Sequence, residues 1–269
     1  MGSILIPAMV AQGYDAGFSS ALSAISGSLG TVIPPSITFI IYGMITGESI
    51  GDLFLSGIIP GLIFGFMLCI MVFIKSKKNG WKGETQRASL KEIGRLFLDT
   101  IWGLLSPVIV LGGIYSGLFT PTEAAAVAVV YSLIVGIFIY KELRLAELKE
   151  TLFSTAKTTG MILLIIMNAG IFSWVLTQQG IAASLTEMAL ALTDNKYIML
   201  VIINIVFLCA GCVMDNTSAL YILVPIIMPI AKALDINMIQ LGVILVLNLS
   251  IGQVTPPVGP NLYVAADIG

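Results

Sequence analysis

The chain has 269 residues, of which 57% are hydrophobic and 10% are charged, and its formal net charge is -2. An ordinary soluble domain has roughly 45–50% apolar and roughly 25% charged residues, so this composition excludes a water-soluble fold of this size. The small net charge gives no support to nucleic-acid binding, and the charges are segregated by loop.

Uncharged apolar runs recur along the chain, at residues 53–74, 100–118, 124–140 and 197–214. A helix needs about 20 apolar residues to cross the hydrocarbon of a bilayer. The runs lack the two-residue alternation of a membrane β-barrel, and backbone groups in hydrocarbon have to pair within their own segment. The expected fold class is therefore an all-α integral membrane protein that crosses the lipid bilayer several times.

An apolar segment near the N-terminus is interrupted by glycines and a double proline, since residues 27–36 read G-S-L-G-T-V-I-P-P-S. Proline lacks a backbone donor and clashes with the carbonyl four residues earlier, so this helix is expected to break at membrane depth. Carbonyls freed in this way have to be buried or to face a polar cavity. Because sodium is a hard cation that prefers oxygen ligands, we expect a sodium site here, formed by the carbonyls of Gly30 and Ile33 beside Pro34 and Pro35.

Basic residues cluster in one loop: seven of the thirteen Lys and Arg residues lie between Lys75 and Arg95. The positive-inside rule places this loop in the cytoplasm. Two crossings later, the basic stretch at 141–149 returns to the same side, which leaves the turn near 117–122 outside. In that turn Thr120 is predicted to cap a helix, with Glu123 as the capping carboxylate.

A polar cluster at 211–218 (G-C-V-M-D-N-T-S) separates two apolar limbs, at about 198–210 and 219–230. At 1.5 Å per residue each limb reaches only about 20 Å. We therefore predict a re-entrant helical hairpin with its tip near the middle of the membrane. Asp215 at this tip is either a functional intramembrane acid or a helix cap, and the pattern leaves both open.

The start of the second limb is also a candidate substrate site, because the free N–H groups of a helix N-terminus attract a carboxylate. The substrate-side candidates are Asp215, Asn216, Thr217 and, further along the chain, Asn261.

The C-terminal region repeats the first break. Aligning S-I-G-Q-V-T-P-P (250–257) with S-L-G-T-V-I-P-P (28–35) gives five identities and one conservative change. The upstream arms also agree, I-L-V-P at 222–225 with I-L-I-P at 4–7. A duplicated half explains both, and the matching first hairpin is expected to lack one limb and its tip, which would precede Met1.

The second copy predicts a second sodium site, formed by the carbonyls of Gly211, Gly252 and Val258 and by the hydroxyl of Thr255. Many secondary transporters build midplane sites from paired hairpins and broken helices. The alternative, that each double proline only kinks a helix for packing, stays open. The expected organisation is a first repeat at 1–75 with an incomplete hairpin, a basic loop with scaffold helices at 76–150, and a second repeat at 151–269 with the re-entrant hairpin and broken helix.

The sequence has three cysteines and no histidine, and no paired carboxylates lie within its apolar runs. We therefore expect no enzyme activity, no cofactor, and no metal site beyond sodium.

Three motifs occur in order along nearly the whole chain: G-T-V-I-P-P-S (30–36), G-L-F-T-P-T-E-A-A-A (117–126) and N-L-S-I-G-Q-V-T-P-P-V-G-P-N-L (248–262). Together they resemble the large membrane subunit of tripartite ATP-independent periplasmic (TRAP) transporters. Members of that family continue beyond both ends of this sequence.

The resemblance implies an inverted-repeat, elevator-type carrier in the bacterial inner membrane that imports an organic acid, such as a C4-dicarboxylate or a sugar acid, with sodium as the driving ion. It also implies two partners, a small membrane subunit and a periplasmic substrate-binding protein. The lack of a G-x-x-x-x-G-K motif agrees with a carrier that does not use ATP. The alternative is a carrier like the divalent-anion/sodium symporters, which work without a binding protein.

Overall fold

The structure is a computed structural model, and it describes residues 2–81 and 89–268. All regular secondary structure in these residues is helical, which confirms the predicted all-α class. In chain order the helices are α1 (Gly2–Ala11), α2 (Ala16–Leu29), α3 (Ile37–Thr46), α4 (Ile50–Asn79), α5 (Leu90–Tyr115), α6 (Pro121–Ile134) with a π-helical continuation (Val135–Ile139), α7 (Leu145–Gln178), α8 (Ile181–Leu192), α9 (Lys196–Gly211), α10 (Asn216–Ala233), α11 (Met238–Gly252) and α12 (Pro260–Ile268).

Five helices of the described chain are long and apolar enough to cross a membrane: α4, α5, α6 with its π continuation, α7 and α10. The predicted runs at 53–74, 100–118 and 124–140 fall on the first three of these. The span in α7 was not predicted from the sequence, although residues 158–178 of this helix carry no charge and are numerous enough to cross a bilayer.

The fourth predicted run, 197–214, is not one long helix. Helix α9 has 16 residues and ends at Gly211, where the polar tip begins. The second limb, in contrast, is longer than predicted, since α10 has 18 residues. At 1.5 Å per residue this is about 27 Å rather than about 20 Å. Three of the additional residues are the polar ones after Asp215, which form the first turn of α10, and the other three, residues 231–233, extend its C-terminal end.

The described residues form two compact units, one of residues 2–81 with 167–268 and the other of residues 89–166. The organisation into two repeats around a scaffold stays a prediction, because compactness does not test it.

In the first unit, two broken helices run antiparallel to each other. One consists of α2, the first break (residues 30–36) and α3, and the other of α11, the second break (residues 253–259) and α12. The Tyr42 hydroxyl near the end of α3 donates to the carbonyl of Met238 at the start of α11, over 2.6 Å. Beside the breaks, Asn261 at the start of α12 bonds to Ser28 near the end of α2. The two breaks consequently lie at the same level.

The helix that precedes each broken helix contacts both copies. Helix α1 packs against α2 and α12, and α10 packs against α11 and α3. These two helices carry the matching I-L-I-P and I-L-V-P arms, with Pro7 inside α1 and Pro225 inside α10. The two copies of the sequence repeat therefore make equivalent helix–helix contacts.

The second unit contains α5, α6 with its π continuation, and the first part of α7. The predicted cap of α6 is confirmed. The backbone N–H of Glu123 donates to Thr120 Oγ1 over 3.3 Å, and the backbone N–H of Thr120 donates to Glu123 Oε2 over 2.8 Å. Nearby, the Tyr131 hydroxyl donates to the carbonyl of Trp102, which joins α6 to α5.

The predicted basic loop is divided between helix ends. Lys75, Lys77 and Lys78 lie in the last turns of α4, whereas Lys91 and Arg95 lie near the start of α5. Its remaining members, Lys82 and Arg87, lie outside the described residues. The cytoplasmic placement of this loop stays a prediction.

Candidate functional site

The hairpin tip and the second break meet at two glycines. A Cβ atom added to Gly252 would lie 2.5 Å from the carbonyl carbon of Gly211 and 2.6 Å from its Cα. A Cβ on Gly211 would lie 3.1 Å from the Cα of Leu249. Two backbones this close leave no room for a side chain, so glycine at both positions permits α9 to contact the end of α11.

The tip is also bonded to the second break. The backbone N–H groups of Val258 and Gly259 both donate to the carbonyl of Cys212, over 3.1 Å and 3.3 Å. The structure therefore brings Gly211, Gly252 and Val258, three of the predicted sodium ligands, to the junction of tip and break.

Thr255, the fourth predicted ligand of this group, lies within the second break. Its backbone N–H donates to the carbonyl of Gly252 over 2.9 Å, and its hydroxyl donates to the carbonyl of Ile251 over 2.8 Å. A hydroxyl that donates its one hydrogen still has lone pairs available for a cation.

The first break packs onto glycines of α4. A Cβ on Gly57 would lie 3.1 Å from the carbonyl oxygen of Val32, and one on Gly61 would lie 2.7 Å from a side-chain carbon of Ile33. Gly30 ends α2, with its N–H donating to the carbonyl of Gly27 over 3.2 Å. Gly30, Ile33, Pro34 and Pro35 are thus close together along one short segment, beside α4 and after the end of α2.

Asp215 caps α10, as one of the two sequence hypotheses predicted. Its Oδ2 accepts from the backbone N–H of Ser218 over 3.1 Å, and its Oδ1 accepts from the Ser218 hydroxyl over 2.6 Å. A cap of this kind does not prevent the exposed carboxylate from contacting a ligand, so the second hypothesis stays a prediction.

Asn216, the first residue of α10, is the least satisfied polar side chain of this region. It is 6% exposed, and within the described chain neither its Nδ2 nor its Oδ1 has a hydrogen-bond partner. A buried carboxamide without partners costs about 1–3 kcal/mol per unpaired group. Thr217 follows it in the same first turn and is partly exposed.

Asn261, near the start of α12, joins the second broken helix to the first. Its Nδ2 donates to Ser28 Oγ over 2.9 Å and to Gln253 Oε1 over 3.1 Å. With both amide hydrogens engaged in this way, Asn261 has only its oxygen left for a substrate.

Two polar contacts of the same unit were not predicted from the sequence. Asn248 Nδ2 donates to Asn204 Oδ1 over 2.6 Å and so joins α11 to α9. Thr31 Oγ1 lies 2.5 Å from Ser250 Oγ and so joins the first break to the last turn of α11, directly before the second break. The available signal was the polarity of these side chains inside apolar runs.

A separate cavity of about 690 Å³ lies within the unit of residues 89–166, among residues of α6, its π continuation and α7. None of the predicted site residues lines it.

Comparison with known proteins decides the family. The sequence model of one protein family, the tripartite ATP-independent periplasmic transporter, DctM component, matches residues 1–269. The chain belongs to this DctM family. The resemblance inferred from the three motifs is thereby confirmed, and the divalent-anion symporter alternative is disfavoured. DctM proteins are permeases, so the chain is a multi-pass membrane protein of a bacterial TRAP system and not an enzyme.

Several curated DctM relatives match the whole chain. It is 42% identical over 268 residues to an isethionate TRAP transporter permease protein, DctMQ, of Oleidesulfovibrio alaskensis, covering 42% of that protein. It is also 42% identical to the C4-dicarboxylate TRAP transporter large permease protein DctM of Pseudomonas aeruginosa, covering 62% of it. It is 37% identical over 269 residues to the sialic acid TRAP transporter large permease protein SiaM of Vibrio cholerae, covering 63% of it. The chain thus spans less than two thirds of the length of these relatives.

Proposed function

We propose that this chain forms the core of a sodium-driven carrier that imports an organic acid across the bacterial inner membrane. The substrate arrives on a periplasmic binding protein, and a small membrane subunit completes the permease. The relatives named above carry isethionate, C4-dicarboxylates and sialic acid, which are all organic anions. An organic anion is accordingly the expected substrate class.

The observation that carries the anion site is Asn216 at the start of α10, whose side chain has no hydrogen-bond partner among the described residues. A helix N-terminus has free N–H groups and a partial positive charge, and Asn216 adds two side-chain donors. A bound carboxylate or sulfonate would accept these hydrogen bonds and relieve the burial cost. Thr217 supplies a hydroxyl in the same turn, whereas the carboxylate of Asp215 suits a hydroxyl or amine of the substrate.

The contact of Gly211 with Gly252 supports the sodium site of the second copy. It places the end of α9 directly against the end of α11, so both helices present their last carbonyls in one small region. The Thr255 hydroxyl adds one oxygen, and Val258 adds a carbonyl. In the first copy, Gly30 and Ile33 beside Pro34 and Pro35 hold the equivalent positions.

The antiparallel broken helices support an inverted repeat, and the four-residue tip at 212–215 supports a re-entrant hairpin of α9 and α10. We propose that this unit is the moving part of an elevator and that residues 89–166 belong to the scaffold.

Reconstitution of the complete permease with its small subunit in liposomes tests this function. Uptake of labelled succinate, sialic acid and isethionate is measured with and without the cognate binding protein. We expect uptake of one of these anions only when the binding protein is present. Uptake that proceeds equally well without it would contradict the tripartite mechanism and favour a symporter that works alone.

A further inference from the structure

The two breaks are linked through corresponding positions of the repeat. The alignment pairs Ser28 with Ser250, and Thr31 with Gln253. Thr31 Oγ1 lies 2.5 Å from Ser250 Oγ. In the matching place Asn261 Nδ2 bridges Gln253 Oε1 and Ser28 Oγ. The fourth position of each copy is therefore joined to the first position of the other copy.

These contacts lie in the interior of the unit. Ser28 and Ser250 are both 0% exposed, and Thr31 is partly buried. Polar groups buried at such a place depend on the protein for their hydrogen bonds, because water does not replace a lost partner. The arrangement of hydrogens among them is consequently set by the two breaks themselves.

The pair of hydroxyls has fewer hydrogens than contacts. Thr31 Oγ1 lies 2.7 Å from the carbonyl of Ser28, Ser250 Oγ lies 2.6 Å from the carbonyl of Val246, and the two hydroxyl oxygens lie 2.5 Å apart. Each hydroxyl supplies one hydrogen, so only two of these three contacts are hydrogen bonds at a time. If Thr31 donates to Ser250, the Ser28 carbonyl loses its bond to the Thr31 hydroxyl; if Ser250 donates to Thr31, the Val246 carbonyl loses its bond to the Ser250 hydroxyl.

This choice connects the backbone of one break to that of the other. The Ser28 carbonyl lies two residues before Gly30, and the Val246 carbonyl lies six residues before Gly252, with Ser250 between them. A cation that draws the nearby carbonyls toward itself reorients these peptide groups and favours one of the two hydrogen arrangements. At the other break, the carbonyl that accepts from the second hydroxyl then gains or loses its hydrogen bond accordingly.

We propose that Thr31 and Ser250 are positioning residues that couple the two breaks, so that a cation bound at one break changes the cation affinity of the other. This inference rests on the sodium sites of the proposed function. Coupling between two sites is reciprocal, so a change at the second break has to appear at the first.

Hydrogen–deuterium exchange of the complete transporter in nanodiscs, measured over a sodium titration, tests the coupling. The readout is the sodium concentration that gives half-maximal protection of the amides at 28–33. In the parent protein, Thr255→Val at the second break should raise this midpoint at the first break at least about fivefold, the lower end of typical coupling. In a Thr31→Val background, adding Thr255→Val should leave the midpoint within about twofold of the midpoint of the Thr31→Val protein alone.

Ser250→Ala should abolish the coupling as Thr31→Val does, and the double variant should add nothing further, because the two hydroxyls act as one pair. If either variant fails to fold, the other decides. Ser19→Ala is the matched control, since Ser19 is also 0% exposed and its hydroxyl donates to the carbonyl four residues earlier. It should preserve the coupling.

Two results contradict the account, and they differ. Coupling that persists unchanged in the Thr31→Val or Ser250→Ala background overturns the inference while leaving the sodium sites intact. Exchange that does not respond to sodium at either break of the parent protein contradicts the proposed function and overturns the inference with it.

Discussion

Gly252 and Gly211 meet backbone to backbone, with room for no Cβ atom between the end of α11 and the end of α9. This contact joins the hairpin tip to the second break, and the proposed sodium ligands lie on both sides of it. The close contact predicts that one added methyl group, at Gly252, destabilises the protein.

Gly252→Ala should destabilise the purified permease by about 1–3 kcal/mol, because the added methyl separates the two backbones. Gly170→Ala is the matched control, since nothing lies within 4 Å of a Cβ at that helical glycine. The control should be neutral or slightly more stable, as alanine is favoured over glycine in helices. Thermal unfolding in detergent provides the comparison, and equal stability of the two variants would contradict the close contact.

Thr255→Val should raise the sodium concentration for half-maximal uptake by roughly ten- to a hundredfold. The change keeps the side-chain shape and removes one oxygen, and a polar contact to a charged group contributes about 1.5–3 kcal/mol. Thr100→Val is the control, because the Thr100 hydroxyl likewise donates over 2.8 Å to the carbonyl four residues earlier. An unchanged sodium requirement with measurable uptake would show that Thr255 is no ligand and that the second break is a packing kink.

Asn216→Leu should stabilise the substrate-free permease while abolishing uptake. It replaces a buried carboxamide, whose polar atoms have no partner in the part of the chain that the structure describes, with an apolar side chain of similar size. Asn204→Leu is the contrasting control, since Asn204 accepts a hydrogen bond from Asn248 and its loss leaves that amide with only its bond to the carbonyl of Ile244. Thermal unfolding without substrate separates the two. If Asn216→Leu is destabilising to the same degree as Asn204→Leu, Asn216 has a structural partner and the anion site is wrong.

A cysteine at Asn79 should resist impermeant thiol reagents in whole cells, because the basic end of α4 is predicted to be cytoplasmic. The background protein lacks the three free cysteines, Cys69, Cys209 and Cys212. A cysteine at Leu118, in the turn predicted to lie outside, should react readily. Labelling at Asn79 but not at Leu118 would reverse the topology.

Local features of the fold were predictable from the sequence because they depend on neighbouring residues. The cap of α6 follows from Thr120 and Glu123 three residues apart, and both breaks follow from the missing donor and the ring of a double proline. The length of α10 was underestimated for a related reason. Its first turn consists of polar residues that are typical of a loop but are helical here, because Asp215 caps the helix.

Contacts between distant residues were not predictable in the same way. Thr31 and Ser250 are 219 residues apart, and Asn204 and Asn248 are 44 apart. Their polarity marked them as unusual, but only the antiparallel packing of the two broken helices makes the first pair neighbours. The repeat alignment identified the two segments as equivalent, but it did not indicate that they contact each other.

The most direct test of sodium-driven import is the initial rate of organic-acid uptake into proteoliposomes that contain the complete permease, with the loaded binding protein outside. The rate is compared between an inward sodium gradient and the same ionic strength of potassium on both sides. We expect a clear initial rate of uptake with the sodium gradient and no uptake above background in potassium. Equal uptake under the two conditions would contradict the account.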